Sequence, residues 1–303
     1  MGDVKKYATP AAFKAGLEAR VNALARAQGR PMNRVRTLAV MERFLARALV
    51  VMPESCMLKG GLALELRLDR ARTTKDIDLR LIWPADGVGD LLARAAALIV
   101  DPDDYLRFTV EADPEHPTIE GDGVVYDGFR FAVTATIAAR QYADKFGVDV
   151  AFADAVHGPA VELVGSDTFA FVGIEPIRVR AYPVGSHIAE KLHAYTLPRS
   201  AERPNSRVKD LPDIALIAAS TGLDADDLRA AIRTTFDFMA SHPMPTSVPD
   251  APPSWVDRYR KMAQDEDLRW RDLAELLAAA RAFLDPVLAG RAGTWDPVAW
   301  ECG

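Results

Sequence analysis

Cysteine is nearly absent from this 303-residue chain: Cys56 and Cys302 are the only two, and they stand far apart. That excludes a disulfide framework and a zinc motif, and it points to a reducing compartment. No apolar signal core stands at the N-terminus, and charge interrupts every apolar run before membrane-spanning length. The expectation is a cytoplasmic protein with no membrane partner. Positive charge is also short, and a net charge of −6 argues against a nucleic-acid partner in bulk. Its distribution is less simple. Within the first fifty residues Lys5, Lys6, Lys14, Arg20, Arg26, Arg30, Arg34, Arg36, Arg43 and Arg47 are opposed only by Asp3, Glu18 and Glu42. Such a stretch either holds a phosphate backbone locally or forms a pair of solvated helix faces.

What is present is ordinary globular material, 49% apolar and 26% charged, long enough for one large or two modest domains. Thr9-Pro10 is a helix start, and Phe13, Leu17, Val21 and Leu24 recur at helical spacing until Gly29. A second helix carries Leu38, Met41, Leu45 and Ala48 and ends near Pro53. The middle of the chain predicts a short helix from Gly60, strands over 76–83, 107–111, 129–137, 146–152 and 177–181, and a helix over 89–100. Turns fall at 101–104 and 120–123. Beyond Pro183, Ser186 is placed to cap a helix through Leu197, followed by a polar loop over 198–205. Helices over 209–219 and 225–240, a proline-rich stretch over 243–253 and a final helix from Leu273 that stops before Pro286 complete the pattern. The expected division is a helical lobe over 1–53, an α/β core over 54–183 and a second helical lobe over 184–303.

The chemistry concentrates in a few places. Gly60-Gly61, after Lys59, lets a backbone pass close to phosphate. Asp76 and Asp78 flank Ile77 on a strand, so both carboxylates face one side and suit Mg²⁺ bound with a nucleotide. Asp149 sits among Val148, Val150 and Phe152, and becomes a third metal ligand if its strand lies beside that of Asp76; otherwise it faces solvent with Gly147 and Ala151. Lys191, on a helix anchored by Ile188, Leu192 and Tyr195, is free to neutralise a triphosphate. Asp210 and Asp213 share a helical face and either could pair with Lys191, or could simply favour a helix N-terminus. Arg72, Thr73, Thr74 and Lys75 either bond nucleotide phosphates or form a plain polar turn. His187 and His193 read as packing or surface residues. Taken together, these residues equip the chain to move a nucleotidyl or phosphoryl group.

Lys59-Gly60-Gly61, Arg72 to Asp78, Lys191-Leu192-His193-Ala194 and Arg207 to Asp213 resemble, in order and spacing, the motifs of the AbiEii-type nucleotidyltransferase toxins. These belong to the DNA polymerase β-like nucleotidyltransferase superfamily. The resemblance implies an α/β fold, a nucleotidyltransferase-like mixed sheet core flanked by N-terminal and C-terminal helical lobes. It implies Asp76, Asp78, Lys191 and Asp213 as catalytic residues, with Asp76, Asp78 and Asp149 as metal ligands. Lys59, Gly60, Gly61, Arg72, Thr74, Lys191 and Asp210 are implied on the nucleotide. It further implies Mg²⁺, an NTP, a tRNA acceptor end, a cognate antitoxin from a neighbouring gene, and action as a monomer. Many relatives carry serine or threonine after the glycine pair, where this chain has Leu62. Two other readings remain open here: transfer to a protein or small molecule, and a non-catalytic nucleotide- or RNA-binding module.

Overall fold

Helix α1 (Pro10–Gln28) begins as its sequence requires: Thr9 Oγ1 accepts from the Ala12 amide at 3.2 Å, and Gly29, with φ of 63°, closes the far end. The computed structural model describes residues 6–68, 71–82, 87–118, 128–152, 155–199 and 205–303. Lys5, Asp3, Trp83, the expected turn over 120–123 and residues 200–204 of the polar loop lie outside them. Phe13, Leu17 and Val21 on α1 and the inner face of α2 (Met32–Val51) pack into one apolar cluster with the sheet. The first helical hairpin therefore has no core of its own.

The sheet is mixed. Its strands are β1 (Met57–Lys59), β2 (Asp76–Leu81), β3 (Arg107–Ala112), β4 (Gly128–Ile137), β5 (Arg140–Gln141), β6 (Phe146–Phe152), β7 (Val161–Val164) and β8 (Arg178–Ala181). The order is β3-β4-β6-β2-β1-β8-β7, with β5 paired to β4. Central β2 runs parallel to β6 and antiparallel to β1. Ile77, Leu79 and Leu81 are buried on its core face, so the pleat turns Asp76, Asp78 and Arg80 to the other. Helix α3 (Gly60–Arg67) follows β1 directly, and α4 (Val88–Ala97) follows β2.

A second apolar cluster gathers α5 (Val184–Thr196), α6 (Asp210–Ala218), α7 (Ala225–Met239), α8 (Val256–Asp265) and α9 (Leu273–Leu288). A small sheet of β9 (Leu223–Asp224), β10 (Thr294–Asp296) and β11 (Glu301–Cys302) joins it. Helix α3 bridges the two clusters: Leu62 and Ala63 belong to the first, Leu64 to the second. No helix among the described residues is long and apolar enough to cross a membrane.

Three expectations are corrected. Ser186 lies inside α5 rather than capping it. Its hydroxyl is buried and satisfies the His157 backbone, accepting from the amide at 2.8 Å and donating to the carbonyl at 3.1 Å. Helix α9 runs through Pro286 instead of stopping before it. Pro286 forfeits the one bond its amide would make to the Ala282 carbonyl, and buried Val287 and Leu288 favour continuing the helix past it. Helix α8 was not expected, because its sequence follows prolines and is mostly polar.

Candidate functional site

Burial of Ile77 and Leu79 sends Asp76 and Asp78 into a common cleft. Strand β1 sets Lys59 opposite Asp78, and the chain then turns sharply through Gly60, where φ is 65°. A Cβ at Gly60 would fall 1.7 Å from Asp78 Oδ2, and one at Gly61 would fall 2.6 Å from Thr74 Oγ1. Only glycine permits both approaches. On the other side β6 places Asp149 in register with Asp78, and Gly147 lies so close to Asp76 that a Cβ would meet Oδ1 at 2.4 Å. The cleft has a volume of about 750 Å³, within the range of small-molecule sites.

Its electrostatics follow from this crowding. Burial, then the negative charges of Asp149 and Asp76, push the Asp78 carboxyl up to about 6, against Lys59 and Lys191. Asp76, at the open mouth, is raised by desolvation and by Asp149. Both oxygens of Asp149 accept from Arg130, from Nε at 2.8 Å and Nη2 at 2.7 Å.

Helix α5 and helix α6 supply the opposite wall. Lys191 Nζ donates to Asp213 Oδ2 at 2.6 Å and to Asp210 Oδ1 at 3.3 Å. Burial works against its charge, yet Asp213 and Asp210 hold its pKa above the ordinary value. Asp213 is fully buried and also takes Arg72, at 2.8 and 2.9 Å, in a two-pronged pair. Lys59 Nζ reaches Glu190 at 3.3 Å. Glu266 accepts from the Thr73 amide and hydroxyl and from Arg34, each at 3.0 Å, and so ties the turn before β2 to the end of α8.

Every residue expected at the site except Asp213 lines this one cleft. Asp213 stands behind Lys191 and Arg72 and orients both. Thr74 lines the cleft, yet its hydroxyl bonds the backbone of Asp76. Leu62 is fully buried in the apolar cluster, so its side chain takes no part in the cleft.

Arg130, Glu190 and Glu266 also line the cleft and were not singled out from sequence, and His187, read there as a packing or surface residue, lines it too. For His187 and Glu190 the signal was available, since His187 stands one helical turn before Lys191 and Glu190 is its neighbour in the chain. For Arg130 and Glu266 it was not, because only the β4–β6 pairing and the packing of α8 bring them in.

Most arginines of the basic N-terminal stretch prove to be internal wiring. Arg30 and Arg34 pair with Glu65, Arg36 with Glu18, Arg20 with Asp167, and Arg43 and Arg47 with buried Asp104. Arg47 and Asp104 have no exposed side-chain surface. Most of the acids that neutralise this stretch come from later in the chain, which is why the sequence read as a free cationic lobe.

The oxygen donors suit a hard divalent cation. Two carboxylates share a face, the Asp78 carboxyl is raised by burial and then by its like-charged neighbours, and Asp210 Oδ2 is buried without a partner among the described residues. Among the described residues no group of three His, Cys, Asp or Glu side chains is placed to hold a metal, and Asp149 is engaged by Arg130.

A family model for the nucleotidyl transferase AbiEii toxin of type IV toxin–antitoxin systems matches residues 43–283. The chain belongs to this family. The match includes every motif residue from Lys59 to Asp213, and membership implies an NTP substrate and an antitoxin partner. None of the curated proteins matches the chain. Among solved structures it is similar to MenT4, a nucleotidyltransferase toxin from Mycobacterium tuberculosis, at 17% identity and a TM-score of 0.47 over 92% of this chain and 99% of that one. It is also similar to JHP933 from Helicobacter pylori, at 14% identity and a TM-score of 0.43 over 85% of this chain and 91% of that one. Both likenesses are too distant to assign chemistry, and the family rests on the sequence match.

Proposed function

We propose that this AbiEii-family chain is a Mg²⁺-dependent toxin that transfers nucleotides from an NTP to the 3′ end of tRNA and so blocks translation. The observation that carries the reading is that Asp76 and Asp78 line one cleft together with Lys59, Gly60 and Lys191. Asp76 and Asp78 would hold Mg²⁺, which when bound neutralises phosphate charge during in-line displacement. Backbone amides at Gly60 and Gly61, at the start of α3, would donate to phosphate oxygens. Lys191, kept cationic by Asp213 and Asp210, would stabilise charge growing on the leaving pyrophosphate. Arg72, clamped by Asp213, would add a second fixed cation. Asp149, in register with Asp78, would take the proton of the attacking 3′ hydroxyl once substrate draws Arg130 away from it.

The RNA backbone would lie along Lys75, Arg207 and Lys209, which are exposed at the rim of the cleft. tRNA is the acceptor that the family resemblance implies. The protein would act as a cytoplasmic monomer, restrained by a cognate antitoxin from a neighbouring gene. Incubation with each labelled NTP, Mg²⁺ and total tRNA tests this. Label should appear on RNA with the parent and vanish with Asp76→Ala; no labelled RNA with any of the four nucleotides would refute it.

A further inference from the structure

Helix α5 turns one face to the cleft: His187, Glu190, Lys191 and Ala194 recur at helical spacing and all line it. Glu190 is engaged by Lys59, and Lys191 by Asp210 and Asp213. His187 differs. Its side chain is 1% exposed, and neither Nδ1 nor Nε2 has a hydrogen-bond partner among the described residues. The large majority of buried side-chain nitrogens have a protein or ordered-water partner. His193 has one in Ser241, and His242 in Thr196. Leaving a buried donor and acceptor unmade costs stability, and here that cost is borne at a cavity wall.

The surroundings select the class of ligand. Lys191, Arg67, Lys59 and Arg72 all bear on the ring, and burial together with these charges keeps it neutral. A neutral imidazole offers one N–H without adding to the repulsion among those cations. The matching group is an anionic oxygen, already favoured there by the lysines and arginines. His187 also lines the same cleft as Lys191 and the Lys59-Gly60 turn, where phosphates would be cradled.

We propose that His187 binds the NTP polyphosphate directly, donating one ring N–H to a non-bridging phosphate oxygen. This rests on the nucleotidyltransferase reading above. No proton is transferred; the ring binds phosphate as a neutral donor and is unchanged by turnover.

Calorimetric titration of the parent, His187→Leu and His187→Gln with Mg-NTP and with inorganic tripolyphosphate decides the matter. His187→Leu should weaken both ligands about tenfold, a loss of about 1.4 kcal/mol, while His187→Gln, which keeps an N–H, should stay within about threefold of the parent. The melting temperature of His187→Leu should hold or rise, because two unpartnered nitrogens are removed. In the transfer reaction KM for the NTP should rise with little change in kcat. Undiminished tripolyphosphate binding by His187→Leu overturns the proposal. Weakening toward NTP alone also overturns it, since the contact would then be to base or ribose. Should His187→Leu not fold, His187→Phe, similar in shape and lacking the N–H, replaces it with the same outcomes. A parent that binds neither ligand refutes the nucleotide reading itself, and that result is read without any variant.

Discussion

Lys191 and Arg72 share Asp213, and that carboxylate never reaches the cleft surface. The arrangement fixes two long cationic side chains in place before any substrate arrives, so little ordering cost remains at binding. Replacing Lys191 by Met would leave Asp210 with no cation on its paired oxygen and Asp213 with Arg72 alone. The expected result is a loss of transfer of at least about 100-fold, with stability lowered by about 3 kcal/mol for the broken buried pair; labelled transfer and thermal denaturation measure the two. Arg130 and Asp149 form a partly buried pair, so Arg130→Ala should cost about 1–3 kcal/mol of stability. It should also tighten Mg²⁺ binding, read by calorimetric titration rather than by transfer, because Asp149 is released beside Asp78. That gain should be absent from the double variant with Asp149→Asn; if it persists there, Asp149 has no share in the metal site. The acids, the glycine pair and Lys191 were legible in sequence because type and spacing alone carry their chemistry. Arg130 was not, since a lone arginine on a strand announces no partner.

At the scale of elements, the β1–α3 turn is the most exacting junction. Gly60 combines a left-handed backbone with a close approach to Asp78, so Gly60→Ala faces both strain and a clash. The variant should lose about 1–3 kcal/mol of stability from backbone strain alone, and NTP binding should weaken further as Asp78 is displaced; denaturant unfolding and calorimetry read each. Helix α2 carries a second consequential residue. Glu42 is buried, its Oε2 accepting from the amide and hydroxyl of Ser166 at 2.9 Å, and burial pushes its carboxyl up to about 7. A carboxyl raised in the folded state takes up its proton more readily there than when unfolded. Its stabilising contribution is therefore complete below the ordinary value of 4.5 and is lost as pH rises through about 7. The loss is roughly 3 kcal/mol across that window. Glu42→Gln should flatten this fall in denaturation midpoints measured from pH 4.5 to 7.5. Strands as short as β1 and β9 could not be read beforehand, because two or three residues leave no periodicity to detect.

Across the whole molecule, the cleft lies where the two apolar clusters meet. The sheet brings Asp76, Asp78 and Asp149, and α5, α6 and α8 bring Lys191, Asp210 and Glu266. Arg34 helps lock this junction, bonding Glu65 at 2.8 Å, Glu266 at 3.0 Å and the Ala71 carbonyl. Reversing its charge should impair folding rather than RNA binding. Reversing Arg207 and Lys209 at the rim should instead leave the melting temperature nearly unchanged and weaken RNA binding. The salt dependence should become shallower, by about 0.7 for each phosphate of a single strand that is no longer neutralised. Binding isotherms at several salt concentrations separate these outcomes; equal weakening by an Arg26 variant on exposed α1 would restore the N-terminal surface as the RNA-binding face.

Local pattern alone determined the strand that pairs Asp76 with Asp78, the glycine turn, the long helices and the family, because each depends on residues close in sequence. Only the tertiary structure decided which charges are free. Glu65, Asp104 and Glu266 neutralise arginines far from them in the chain, and Asp149 is claimed by Arg130 on a neighbouring strand. An ion pair forms between side chains that folding brings within a few ångströms, and sequence distance carries no trace of that proximity.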